Sequence, residues 1–165
     1  MRELYDDLIK EALLKARPRI EVVRADDLAS PGAITGDVFE WIADADYVVA
    51  DITFPNPNVF YELGLRHATR SGTILLRDKN GPAPPFDISV LRHIEYENSP
   101  SGLKRLAADL AKAFDHLEQN PGRPDNQFLR FAEPRFALPP AGERYQVLQI
   151  GQDGRPVWDW VRVGR

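Results

Sequence analysis

The chain contains no cysteine in 165 residues, which removes disulfides and thiolate chemistry from consideration. Histidine is nearly as scarce. His67, His93 and His116 are scattered, leaving a zinc site little to build on, so neither a metal nor a cofactor is expected. No apolar run approaches the ~18 residues of a membrane span, and the first residues form an amphipathic segment of mixed charge unlike a signal peptide. No membrane partner is expected, and the lack of cysteine fits a cytoplasmic protein. Neither charge sign dominates: 21 Lys and Arg face 25 Asp and Glu, a net charge of -4. Nothing in that balance calls for nucleic acid. The Gly-x-Ser-x-Gly elbow, the GxxxxGK[ST] phosphate loop and the His-Glu-x-x-His pair are all absent, which sets aside three common reaction classes.

What is present is ordinary in amount and informative in order. Hydrophobic content of 43% and charged content of 28% describe a globular chain long enough for one domain. Over residues 3–17, Tyr5, Leu8, Ile9, Ala12, Leu13 and Ala16 recur at helical spacing. Pro18 ends that helix, and Ile20–Val23 reads as a short strand. A second helix over 34–44 would bury Ile34, Val38, Trp41, Ile42 and Ala45, and a strand over 47–51 follows. The next helix takes Asn56 as cap, with Asn58 as the rival, and Pro57 at its first position. Its core stripe would be Phe60, Leu63, Gly64 and His67, with Glu62, Arg66 and Arg70 on a polar side where Glu62 and Arg66 could pair. Gly72 closes it. Strands over 73–76 and 91–96, a loop over 78–86 and a long amphipathic helix over 101–117 complete the pattern.

Strands alternating with helices predict an α/β fold with a doubly wound, mostly parallel sheet over 1–119. The usual first, central strand is missing, so either the chain is trimmed ahead of its first helix or another strand fills the gap. Pro121, Pro124, Pro134, Pro139 and Pro140 make 120–143 a linker, anchored by Phe128, Leu129, Phe131 and Phe136. Residues 144–165 read as a C-terminal β-hairpin turning at Asp153-Gly154. That hairpin, or a second copy in a homo-oligomer, is a candidate to cover the open sheet.

The chemistry concentrates between Asp51 and Gly64. A strand ends in the carboxylate of Asp51, a proline-studded loop follows, and a helix carries Glu62 in its second turn. Ligands of open α/β sheets bind beyond the carboxyl ends of the strands, so both carboxylates would face that crevice. A carboxylate can attack an anomeric carbon, because the glycosidic transition state is oxocarbenium-like and needs an anion close to the sugar. Glu62 is the candidate nucleophile. Asp51 would orient a sugar hydroxyl or pass a proton to the leaving base. Asp26, Asp27, Ser30 and Gly32, in the loop after the 20–23 strand, are candidate substrate ligands, as are Asn56 and Asn58.

The run Ala50-Asp51-Ile52-Thr53 through Asn56-Pro57-Asn58-Val59-Phe60-Tyr61-Glu62-Leu63-Gly64-Leu65-Arg66-His67-Ala68, with Arg24–Asp27 and Ser30–Ile34 before it, resembles the nucleoside 2-deoxyribosyltransferase-like proteins. It also looks like the TIR-like nucleotide-binding domains of bacteria. Matching segments span about residues 3–117. The resemblance implies a flavodoxin-like sheet and, in active members, cleavage of an N-glycosidic bond of a nucleoside, nucleotide or NAD. By that likeness Glu62 matches the nucleophile and Asp51 the aspartate that helps position the nucleoside. Pro57-Asn58 stands where the transferases usually carry Gly-Thr. The expected activity is that of an N-glycosidase or N-glycosyltransferase, with a non-catalytic nucleotide-sensing or protein-interaction domain of the TIR-like type as the alternative.

Overall fold

In a computed structural model, residues 5–24, 36–121, 123–132, 144–150 and 156–162 are described. The chain divides into two compact units, Met1–Phe131 and Ala132–Arg165.

In the first unit a π-helical turn over Tyr5–Lys10 runs into α1 (Glu11–Ala16). Then come α2 (Gly36–Asp44), β1 (Val48–Asp51), α3 (Pro57–Thr69), β2 (Thr73–Asp78), the single turn α4 (Phe86–Ser89), β3 (Ile94–Tyr96), α5 (Pro100–Gln119) and α6 (Gln127–Ala132). The three strands form one parallel sheet in the order β1-β2-β3, with Val48 opposite Thr73 and Leu76 opposite Ile94. This mixed α/β architecture is compatible with a doubly wound fold.

Strand geometry explains the layering, because successive side chains point to opposite faces. Ile74 and Leu76 of β2 join Leu8, Ile9, Leu13, Leu106, Leu110 and Phe114 in the larger core on one side. Leu75 points the other way, onto Ile52 and Leu63, with Phe60, Ile88 and Leu91 around them. On the larger side α1 and α5 are also joined at their ends, where Arg17 lies 5.5 Å from the Phe114 ring and pairs with Asp115 and Glu118.

Helix α5 starts as its sequence dictates. Pro100 occupies the first turn, and the Ser99 hydroxyl accepts from the Gly102 N–H at 3.0 Å. A Cβ at Gly102 would lie 1.9 Å from the Glu97 carbonyl, so that turn admits only glycine. Ser99→Ala should therefore cost about 1 kcal/mol in urea unfolding, the usual value of a lost cap. An unchanged midpoint would mean that water serves the Gly102 N–H equally well.

Four expectations need correction. Ile20–Val23 forms no strand among the described residues: Ile20 and Val22 pack on the larger core, but no neighbouring strand pairs with their backbone, and β1 ends the sheet. Trp41 is 46% exposed rather than core, although Ile42 beside it is buried. Gly64 is exposed, with nothing within 4 Å of where a Cβ would stand. Arg66, assigned to the polar side of α3, is completely buried.

Residues 123–132 are more ordered than the proline content of the segment suggests. Asp125 Oδ2 accepts from the backbone of Gly72 and Thr73, and the buried Asn126 caps α6 by accepting from the Leu129 N–H at 2.9 Å. Residues 133–143 and the hairpin turn lie outside the described residues. In the second unit β4 (Arg144–Ile150) pairs antiparallel with β5 (Pro156–Arg162), Leu148 standing opposite Trp158. Among the described residues no helix is long and apolar enough to cross a membrane.

Candidate functional site

The carboxyl ends of the three strands are tied together by one polar network. Asp51, the last residue of β1, is half-buried, and its Oδ1 accepts from the Thr53 N–H at 2.9 Å and from the Thr53 hydroxyl at 2.5 Å. This is the local turn that Asp favours, a side chain capping its own backbone two residues on. The second oxygen, Oδ2, accepts from the Tyr96 hydroxyl at 2.7 Å. Tyr96 ends β3 and is buried; Thr53 is buried as well and accepts from the Asp78 N–H, at the end of β2, at 2.8 Å. The Lys79 N–H then donates to the Tyr96 carbonyl at 2.9 Å.

Donor bookkeeping fixes the protons in this network. Thr53 and Tyr96 each own one hydroxyl proton, and both are spent on Asp51. The 3.4 Å approach of Thr53 Oγ1 to Tyr96 Oη is therefore a contact left over from that arrangement. Burial pushes the Tyr96 hydroxyl well above the usual phenol range, and the nearby Asp51 carboxylate adds to the shift, while the close Thr53 hydroxyl opposes it. Tyr96 stays a donor at neutral pH.

Helix α3 begins just beyond β1. Asn56 is its cap, accepting from the Asn58 N–H at 3.0 Å, and Pro57 takes the first helical position. Both asparagines are exposed. Glu62 follows in the second turn, half-buried, about 7–8 Å along the axis from the helix start by the rise per residue. The helix dipole fades within the first turn, so Glu62 gains little from it. Beside Glu62, the Tyr61 ring meets Phe39 of α2 edge-on with centroids 5.9 Å apart.

Of the residues singled out in the sequence, Asp51, Asn56, Asn58 and Glu62 are carried by one strand–loop–helix unit. Asp26, Asp27, Ser30 and Gly32 lie outside the described residues. Asp51 is committed to three protein donors, so its carboxylate ties the end of β1 to the Thr53 turn and to the end of β3. The reading of single residues missed Thr53, Asp78 and Tyr96. The Asp-x-Thr spacing of Asp51 and Thr53 was the available signal for the turn, whereas nothing local pairs Asp51 with Tyr96, 45 positions away.

Arg66, one turn after Glu62, was missed for a different reason. Its Nη1 donates to the carbonyls of Ile42 at 2.8 Å and Ala45 at 2.7 Å, and its Nη2 to those of Asp46 at 3.1 Å and Ser71 at 2.6 Å. Burial lowers its pKa, with the Arg70 charge adding to the effect. A guanidinium nonetheless remains protonated at any physiological pH. His67, next in sequence, is likewise pushed below the ordinary histidine value, chiefly by burial. Among the described residues no group of three or more His, Cys, Asp or Glu could hold a metal ion. No protein-family model matches the chain, no curated protein matches it, and no solved structure matches it.

Proposed function

We propose that the chain cleaves the N-glycosidic bond of a nucleoside, a nucleotide or NAD, with Glu62 as the nucleophile. The observation that carries the reading is the strand–loop–helix unit at the carboxyl edge of a parallel sheet, where open α/β sheets take their ligands. The likeness of the Asp51–Ala68 run to the deoxyribosyltransferase-like proteins, and the flavodoxin-like topology it implies, also support the reading.

In this mechanism a Glu62 oxygen forms a bond to C1′ as the C1′–N bond breaks. The electron pair leaves with the base: nicotinamide departs neutral, whereas the base of a nucleoside or nucleotide takes up a proton from solvent. Water then attacks the glycosyl ester and frees Glu62, or a second base takes the sugar in transfer. Asp51 contributes by holding the loop through Thr53 and Tyr96. Incubation with deoxynucleosides, nucleoside monophosphates and NAD, with free base followed by chromatography, tests the reading. Glu62→Gln should lower base release by roughly two to four orders of magnitude, the range in which a positioned carboxyl group contributes. Equal turnover by the two proteins would end the assignment.

One observation favours a second reading, in which the crevice binds a nucleotide without cleaving it. Asp51 already satisfies three protein donors, so the network is complete without a substrate. Calorimetry that finds nucleotide binding, with no base released from any compound in the panel, would select that alternative.

A further inference from the structure

An arginine buried without a carboxylate partner is costly, because several kcal/mol of ion solvation are lost on burial. Arg66 is 0% exposed, and its two terminal nitrogens donate only to backbone carbonyls. Those four carbonyls come from three places. Ile42 and Ala45 belong to the last turn of α2 and the residue after it, where helix carbonyls lack intrahelical partners. Asp46 lies in the turn that leads into β1, and Ser71 in the turn between α3 and β2. One side chain of α3 thus joins the element before β1 to the element before β2.

The cradle is closed around that side chain. Gly72 has φ 96°, and a Cβ there would stand 2.4 Å from the Asp46 carbonyl and 3.0 Å from Arg66 Nη2. Asp125 accepts from the Gly72 and Thr73 amides at 2.7 and 2.8 Å, and its charge favours the guanidinium. Arg66 Nε is buried without a hydrogen-bond partner. The guanidinium is therefore held by its terminal nitrogens alone, in a plane set by the four carbonyls.

From this cradle we infer that Arg66 is a positioning residue for Glu62. It sets the axial position and rotation of α3 against α2 and the start of β1, and so the place of Glu62 relative to the end of that strand. The link to catalysis rests on the proposed role of Glu62; the link to helix position does not.

The experiment uses the full chain with Arg66→Lys and Arg66→Ala, and reads amide hydrogen exchange together with base release. In Arg66→Ala, exchange should quicken in the last turn of α2 and around Glu62 by clearly more than the general rise that the lost folding stability brings to α5 on the opposite face. Low-millimolar guanidinium chloride should restore that protection, and sodium chloride at the same ionic strength should not. Should Arg66→Ala fail to fold, Arg66→Lys carries the test with the same local pattern. A uniform rise in exchange across the first unit, or no change, would overturn the inference. In the activity arm Arg66→Lys should lower kcat by about ten- to a hundredfold with KM nearly unchanged, the signature of a displaced reacting group. A matching fall in binding with kcat retained would overturn the catalytic link. If the wild type releases no base, the Glu62 reading fails by itself, and the exchange pattern alone decides the role of Arg66.

Discussion

Replacing Arg66 by alanine is expected to cost about 3–5 kcal/mol of folding stability, because it strands several buried carbonyls and opens a cavity at once. The four acceptors are backbone atoms and cannot be exchanged for apolar groups. In this respect Arg66 differs from a buried side-chain ion pair, where both partners can be replaced by well-packed hydrophobic residues at little cost. Arg66→Met refills much of the space but leaves the carbonyls unpaired, so it should recover less than half of the loss. Arg66→Lys keeps a charge and three donors on a similar stem; it should recover more, since only one of four acceptors must go without. Urea unfolding of the three variants should rank them Lys, then Met, then Ala. A methionine variant as stable as the wild type would show that packing, and not the carbonyl cradle, accounts for the burial of Arg66.

That ranking also explains why Arg66 was hard to read in the sequence. The i, i+4 spacing of Glu62, Arg66 and Arg70 describes an isolated helix, on which three charged residues mark a solvated side. In the folded chain that side meets the end of α2, and the unpaired carbonyls there make a guanidinium worth burying. Trp41 fails for the complementary reason: its spacing matches a buried face, yet it stands 46% exposed while its neighbour Ile42 is covered.

Elements whose order depends on local chemistry were legible. Asn56 with Pro57 set the start of α3, and the apolar periodicity of 101–117 marked α5. Elements that need a remote partner were read less evenly: the strands expected over 47–51 and 73–76 formed β1 and β2, but that expected over 20–23 did not form. Ile20–Val23 has strand composition, but a strand exists only in a ladder, and β1 is the last strand of the sheet among the described residues. Helix α6 had a local signal in Asn126, outweighed in the sequence by the proline density around it.

The candidate site divides the same way. Glu62 and Asp51 were visible as carboxylates in a helix and at a strand end, while Tyr96, which takes the second oxygen of Asp51, sits on β3, and Asp78, which holds Thr53, ends β2. Because β2 lies parallel beside β1 and β3 parallel beside β2, their carboxyl ends converge, so Thr53 and Tyr96 reach Asp51 there while Asp78 donates to Thr53. A carboxylate read as free to meet substrate is, in the fold, the acceptor that joins two strand ends.

Removing that acceptor is the second large perturbation. Asp51→Ala leaves the Thr53 N–H, the Thr53 hydroxyl and the Tyr96 hydroxyl without their partner, and should cost about 2–4 kcal/mol. Asp51→Asn should cost less, because Oδ1 can keep the two Thr53 donors while the Tyr96 hydroxyl turns to accept from the new amide. Tyr96→Phe removes only one donor from a half-exposed carboxylate that water can also reach, and should cost about 1 kcal/mol. If the three side chains act as one unit, the double variant Asp51→Ala with Tyr96→Phe will lose less than the sum of the single losses. A coupling of about 1–2 kcal/mol is expected, as for residues in one hydrogen-bond network. The alkaline limb of stability supplies an independent check. Tyr96 has a raised pKa in the folded chain, so its contribution is fully present below the unfolded phenol value of about 10 and is lost as pH rises above it. Tyr96→Phe should therefore flatten the fall in stability above that pH and leave the neutral region offset only by the lost hydrogen bond. Strict additivity in the cycle, with an unchanged alkaline limb, would mean that Asp51 and Tyr96 are neighbours without being partners.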